Sequence, residues 1–220
     1  MSARFAGACG LLAFVTATVG WVAGGFAQPA AYSVARDDIS DLGAITAASP
    51  WLYNQLGANL TGLLVVLCAL GLWRALSPSV LGRLGAAALL LAGVGSFLDG
   101  FLRLDCRRID SACTNHTWHS HAHKIESGFT AAFTLVAPVL LALAFRRIPS
   151  WRGAWVPSLL ALPAIIVANV IFSAVGDGAA TRAGTVVFFL WVAFVGWWLL
   201  REPAQAAAPA TPPPAQPATL

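Results

Sequence analysis

The chain has 220 residues, 58% of them hydrophobic and 10% charged, with a formal net charge of +4. Its mean hydropathy is +0.74. Soluble globular domains carry about 25% charged residues, so this composition excludes one. Nothing in it resembles a P-loop, a dinucleotide fingerprint, a nucleophile elbow or a haem motif.

Six apolar runs are long enough to cross a bilayer, which takes about 20 residues each. They fall at about 5–27, 51–72, 84–101, 121–145, 155–175 and 180–200. The expected fold is therefore all-α, a polytopic membrane protein with a six-transmembrane-helix bundle over residues 1–202. No room remains for a separate soluble domain. The first run begins after Arg4 and could be a signal peptide, but its apolar stretch is longer than the 7–15 residues of a signal core. Trp21 near its far end suits an interfacial anchor, so it is read as a retained span.

Between the first two spans lies Y-S-V-A-R-D-D-I-S-D-L-G-A, whose acids and serine precede apolar residues. That pattern predicts a short helix or turn at the membrane surface. The second span carries Asn54, Gln55 and Asn59 near its start. The third is rich in Gly and Ala and should pack closely against neighbours. It ends with Asp99 and Arg103 four residues apart, a spacing that predicts a mutual ion pair. The fifth contains Pro157 and Pro163, which predict a kink. The sixth carries Trp197 and Trp198 as interfacial anchors, and the Pro/Ala-rich tail over 203–220 should be disordered.

Charge sets the expected orientation, with both termini cytoplasmic. Arg4, Arg74, Arg83, Arg146, Arg147, Arg152 and Arg201 then lie inside, and the short loops between Arg74 and Arg83 and between Arg146 and Arg152 hold no acid. The positive balance is thus a topology signal and gives no reason to expect nucleic acid. One lysine against twelve arginines, with abundant Ala, suggests a GC-rich bacterial genome and a plasma-membrane home. Cys106 and Cys113 bracket six residues in the loop ahead of span four. In an oxidising compartment a disulfide is the natural reading, with two free thiols the alternative.

All four histidines fall within eight residues, in H-T-W-H-S-H-A-H-K-I-E from His116 to Glu126. On a helix His119, His123 and Glu126 share one stripe, with His116 joining if the helix starts early, while His121 points elsewhere. Two imidazoles and a carboxylate on one face can bind zinc or another divalent metal, relay a proton, or close a structural network. Polar residues also gather at the same end of other spans, which predicts an outward-facing His/Asp/Arg pocket.

The motifs I-S-D-L-G-A (Ile39–Ala44) followed by Pro50 and Asn54, G-F-L-R-L-D (Gly100–Asp105), the His-rich start of span four and G-A-A-T-R-A-G (Gly178–Gly184) resemble the domain of unknown function 998 family. The resemblance covers about residues 5 to 200 and implies a six-span bundle without an established activity. A looser similarity runs to the FRAG/DRAM family, whose members are implicated in lipid-anchor remodelling and autophagy. By that likeness Ser40, Asp41, Gly43, Asp105, His119, His123 and Arg182 are the positions to follow.

Three functions compete. The first is a non-enzymatic lipid-binding, sensory or scaffold protein, in which the polar groups pair with one another. The second is a membrane-embedded, metal-dependent, lipid-modifying hydrolase. There His119 and His123 would hold the metal, with Glu126, His116 or an Asp from another helix as the third ligand. Asp41 or Asp99 would act as base, and Arg182 would hold a phosphate or carboxylate. Ser40 and Asp105 complete the catalytic candidates. A transporter ranks third, because the ionisable groups stop short of the midplane. Membrane lipids are the expected partners, no soluble partner can be inferred, and whether the chain is an enzyme stays open.

Overall fold

A computed structural model describes residues 1–77 and 79–201; the tail over 203–220 lies outside the described residues. Six helical spans make up the fold, with no strand among the described residues. The first, α1 (Ala3–Phe26), starts where the Ser2 side chain accepts from the Phe5 N–H at 3.2 Å. The second opens as a wide-turned π-helix (Leu52–Leu60) and continues as α2 (Thr61–Ala75). Next come α3 (Val80–Asp99), capped by Ser79, and α4 (Trp118–Phe145), capped by Thr117. A 3-10 turn (Pro149–Trp151) leads into α5 (Arg152–Ser173), and α6 (Asp177–Arg201) closes the set. All six spans are long and apolar enough to cross a bilayer, which makes the protein an integral, multi-pass membrane protein.

Their packing runs in chain order and closes on itself, from α1 through α6 and back to α1. Such a ring suits a medium in which the outside is as apolar as the inside, so helix association rests on close packing rather than on hiding grease from water. The face that α1 buries is accordingly a stripe of small residues, with Ala6, Gly10, Ala13, Ala17, Gly20 and Gly24 spaced three or four apart. Its large side chains point outward, Phe5 and Leu12 among them. Where α1 crosses the π-helical stretch, Gly20 meets Gly57 so closely that a Cβ on Gly20 would fall on the Gly57 backbone.

The two halves of the ring differ. At the end that carries Ala3 and Arg201 the centre is filled by Leu72, Leu76, Phe145, Trp151 and Leu199, all fully buried. Phe145 and Trp151 stack there with ring centroids 4.6 Å apart, and Trp198 donates to the Ser150 carbonyl at 3.1 Å. Toward the opposite end the ring opens around a cavity. The segments over 27–50 and 100–117 fold across that opposite end, here called the loop end.

The loop between α3 and α4 is tied down by a disulfide between Cys106 and Cys113, with Cα atoms 5.9 Å apart. Asn115 accepts from the Cys106 N–H at 3.0 Å and from the Ser120 hydroxyl at 3.2 Å, fastening the loop to the first turn of α4. Within this loop Arg107 donates to Asp110 at 2.8 Å; across to the other segment Arg107 donates to Gln28 at 3.1 Å, and Thr46 donates to Asp110.

The crossing at Gly20 gives a direct test. Gly20→Val should lower stability in detergent by about 1–3 kcal/mol through overpacking. Gly128→Ala, on an α4 face where a Cβ meets nothing within 4 Å, should leave the thermal midpoint unchanged or slightly raised. Scanning fluorimetry of the two variants checks the contrast.

Candidate functional site

The cavity measures about 590 Å³, within the range of small-molecule sites. At the loop end it is lined by Asp38, Ile39 and Ser40 above and by Tyr53, Ser96, Asp99, His123 and Glu126 at the sides. Deeper, the lining becomes Thr134, Leu135, Ile165, Phe188 and Phe189. Ile166 and Val170 of α5 also border it while remaining 48% and 65% exposed. The cavity therefore reaches the outer face of the ring beside α5, where the bilayer lies. From Glu126 to Leu135 along α4 it extends about 14 Å at 1.5 Å per residue. It is amphipathic along its length, polar at the loop end and apolar towards the middle.

Three elements deliver the polar end. Asp99 is the last residue of α3. On α4, His123 and Glu126 lie one turn apart and face α3. Gly95, one turn before Asp99, makes this approach feasible: a Cβ there would lie 3.1 Å from Glu126 Oε1 and would overlap the Thr130 hydroxyl. The π-helical stretch supplies Tyr53. Such wide turns often mark functional positions in a helix.

Each of the three ionisable groups has one polar atom held and one directed elsewhere. Tyr53 donates to Asp99 Oδ2 at 2.8 Å, leaving Oδ1 2.9 Å from His123 Nδ1. That distance pairs the two residues, yet Nδ1 makes no aligned hydrogen bond. His123 Nε2 is 3.4 Å from the Ser127 hydroxyl. Thr130 donates to Glu126 Oε1, and Glu126 Oε2 is buried without a partner. His123 and Glu126 are only 6% and 7% exposed. An unpaired carboxylate in such a place costs several kcal/mol in lost hydration, and a second carboxylate beside it adds repulsion.

The remaining sequence candidates are placed as follows. His119 is not in this group; its ring stacks on Trp118 with centroids 3.7 Å apart. His116 lies in the preceding loop, its Nδ1 2.9 Å from the Thr114 carbonyl, and His121 is exposed. Asp105 holds the start of α4, accepting from Thr117 Oγ1 at 2.6 Å and from the His116 and Thr117 N–H groups at 3.0 Å. These donors, Thr117 first, bring its pKa down to about 2. Ser40 borders the cavity and Asp41, in the 3-10 helix Ile39–Gly43, is buried beneath it.

Arg182, in the first turns of α6, is 4% exposed. Its Nη1 donates to the carbonyls of Val34, Asp37 and Gly178 at 2.9, 2.7 and 3.0 Å, and its Nη2 to the Tyr32 hydroxyl. It is thereby engaged in holding the loop over 32–38, which continues into the Asp38–Ser40 ceiling. The Asp99–Arg103 ion pair expected from their spacing does not form. Helix α3 ends at Asp99, Arg103 lies exposed beyond the turn, and Asp99 turns inward to Tyr53 and His123.

Tyr53 was not among the sequence candidates. The chain has two tyrosines, and both hydroxyls engage the polar groups of this end, Tyr32 with Arg182 and Tyr53 with Asp99. Their rarity in a chain otherwise rich in Ala, Leu and Trp was the available signal.

The six-span bundle, with this cluster at one end, is that of a multi-pass helical membrane protein. More particularly, the chain matches the model of the family described as "Protein of unknown function (DUF998)" over residues 9–198 and belongs to that family. No curated protein and no solved structure matches it.

Burial pushes the Asp41 carboxyl up to about 6, with Asp37 and Asp38 adding to the shift and the Arg108 backbone N–H opposing it. The sign follows from proton linkage. The folded state holds this proton more tightly than the unfolded chain, so the stabilisation is complete below about pH 4 and lost as the pH rises through about 6. Asp41→Asn should flatten the decline in thermal midpoint between pH 4 and 8. At pH 8 it should be more stable than wild type by up to about 3 kcal/mol, the equivalent of two pKa units. Scanning fluorimetry across that range reads both effects.

Proposed function

We propose that the protein is a bacterial plasma-membrane protein that binds the polar end and first part of a membrane lipid, with the loop end outside and both termini cytoplasmic. The observation that carries this reading is the cavity itself. It joins a buried Asp/His/Glu cluster to an apolar shaft, and it meets the lipid-facing surface beside α5. An amphipathic molecule already in the bilayer can enter sideways without crossing water. Its polar atoms would then meet Tyr53, Ser96 and the ionisable cluster while its chain lies along Leu135, Ile165 and Phe188. Charge placement supports the orientation, since the short connections at the terminal end carry only arginines.

The bundle's filled half argues against the transporter reading, because Phe145, Trp151 and their neighbours close the centre of the ring with apolar side chains. The hydrolase reading retains one favourable observation, the convergence of Asp99, His123 and Glu126 in the same cavity. It predicts a lipid product where simple binding predicts none.

Lipid retained after detergent exchange should be close to one molecule per chain by native mass spectrometry. Ala131→Trp, which places a large ring among the cavity-lining residues of α4, should reduce that retention at least tenfold while leaving the fold intact. Equal retention in the variant, or none in wild type, would sink the binding reading. Release of a cleaved lipid from wild type, abolished by Glu126→Gln, would favour the hydrolase instead.

A further inference from the structure

The geometry points to a divalent transition-metal site, of the zinc class, formed by Asp99, His123 and Glu126. One ligand atom from each lies within 4.8 Å of the others. Three donors around one ion at about 2.1 Å lie roughly 3.4 Å apart in tetrahedral geometry, so binding would ease His123 Nδ1 and Asp99 Oδ1 apart from their present 2.9 Å and bring Glu126 to the same ion. This set differs from the one expected from helical spacing alone, because its third ligand comes from α3 and His119 lies outside.

Two features distinguish this cluster from a chance grouping of polar side chains. The first is its unmet demand. Glu126 Oε2 is buried without a hydrogen-bond partner, in a residue more than nine-tenths buried, and His123 Nδ1 has only the Asp99 carboxylate beside it, at 2.9 Å and out of hydrogen-bond alignment. A cation shared by Asp99 Oδ1, His123 Nδ1 and Glu126 Oε2 would satisfy the unpartnered Glu126 oxygen and remove the repulsion between the carboxylates. The second is the outer layer. Each ligand carries one hydroxyl on its far side: Tyr53 on Asp99 at 2.8 Å, Ser127 beside His123 at 3.4 Å, and Thr130 on Glu126. Metal ligands are commonly oriented in this way, and losing such a partner typically weakens affinity 10- to 100-fold.

The donor set selects the metal. Two carboxylates alone would suit magnesium or calcium, but the imidazole nitrogen favours zinc and its neighbours in the first transition row. Three protein ligands leave a coordination position open, and the cluster faces the cavity. That position belongs to water or to an oxygen of the cavity's occupant, such as a phosphate or an ester carbonyl. The site does not require a lipid to be bound, so the two readings stand or fall separately.

The test uses the full-length chain with any affinity tag removed. Protein in detergent is stripped with chelator, equilibrated with zinc chloride alone, freed of excess and analysed by inductively coupled plasma mass spectrometry. About one zinc per chain is expected in wild type and in His119→Ala. Glu126→Gln, which keeps the side-chain volume, should retain less than one tenth of that. Tyr53→Phe should bind with 10- to 100-fold weaker affinity in a competition titration with a chromogenic chelator. Folding of each variant is checked by its thermal transition, and zinc should raise the wild-type midpoint but not that of Glu126→Gln. No bound zinc in folded wild type, or undiminished zinc in Glu126→Gln, would overturn the proposal. A zinc-free protein that still holds lipid would leave the binding reading intact, and a zinc-loaded protein without lipid would leave this one intact.

Discussion

The loop end depends on one guanidinium. Main-chain carbonyls at the edge of a bilayer must find donors, because hydrocarbon offers none. Arg182 answers that need for the segment after α1, holding the carbonyls of Val34 and Asp37 together with that of Gly178 in its own helix. Trp21 and Tyr32 lie against it, with ring centroids 5.7 and 5.9 Å from the guanidinium carbon. Together with the Ala179 N–H, which donates to the Ala35 carbonyl at 2.9 Å, that clasp sets the height of the segment over 32–38 above the bundle, and with it the ceiling of Asp38, Ile39 and Ser40. The arginine thus acts on the cavity at one remove, as the tether of its roof.

Below the roof, the shape of the cavity follows from residue size. Small residues at the helix crossings let backbones approach, and the large aromatics that would fill the centre are concentrated at the terminal end. The loop half has Ser, Thr, Gly and Ala at many inward positions, among them Ser96, Ser127, Thr130, Ala131 and Gly184. The hollow is what remains when a closed ring of helices is given short side chains on one half of its inner face. Hydroxyls among those short side chains make the hollow partly polar without adding charge.

Much of the architecture was legible in the sequence. Six apolar runs predicted six spans, and their observed bounds differ from the expected ones by a few residues where helices extend into capping turns. The short helix after Asp38 and the Cys106–Cys113 bridge were likewise readable, one from its acids and the other from position. The site was legible only in part. His123 and Glu126 stand out because ionisable residues are scarce in spans. The spacing rule placed His119 with them, whereas its ring instead lies flat on Trp118. Asp99 was visible but was matched to Arg103, its neighbour along the chain. Sequence spacing describes partners on one helix, and the partners of Asp99 come from α4 and from the π-helical stretch. No one-dimensional pattern reports that Gly95 opens the way between α3 and α4.

The state of the four cysteines has a practical corollary. Cys9 and Cys68 are free but buried among the helices, while Cys106 and Cys113 are bonded to each other. The native protein consequently presents no accessible thiol. A single cysteine introduced at either end of the bundle would be the sole target for a membrane-impermeant maleimide, with no need to remove the natural ones. Sidedness in intact cells can be mapped on an otherwise unaltered chain.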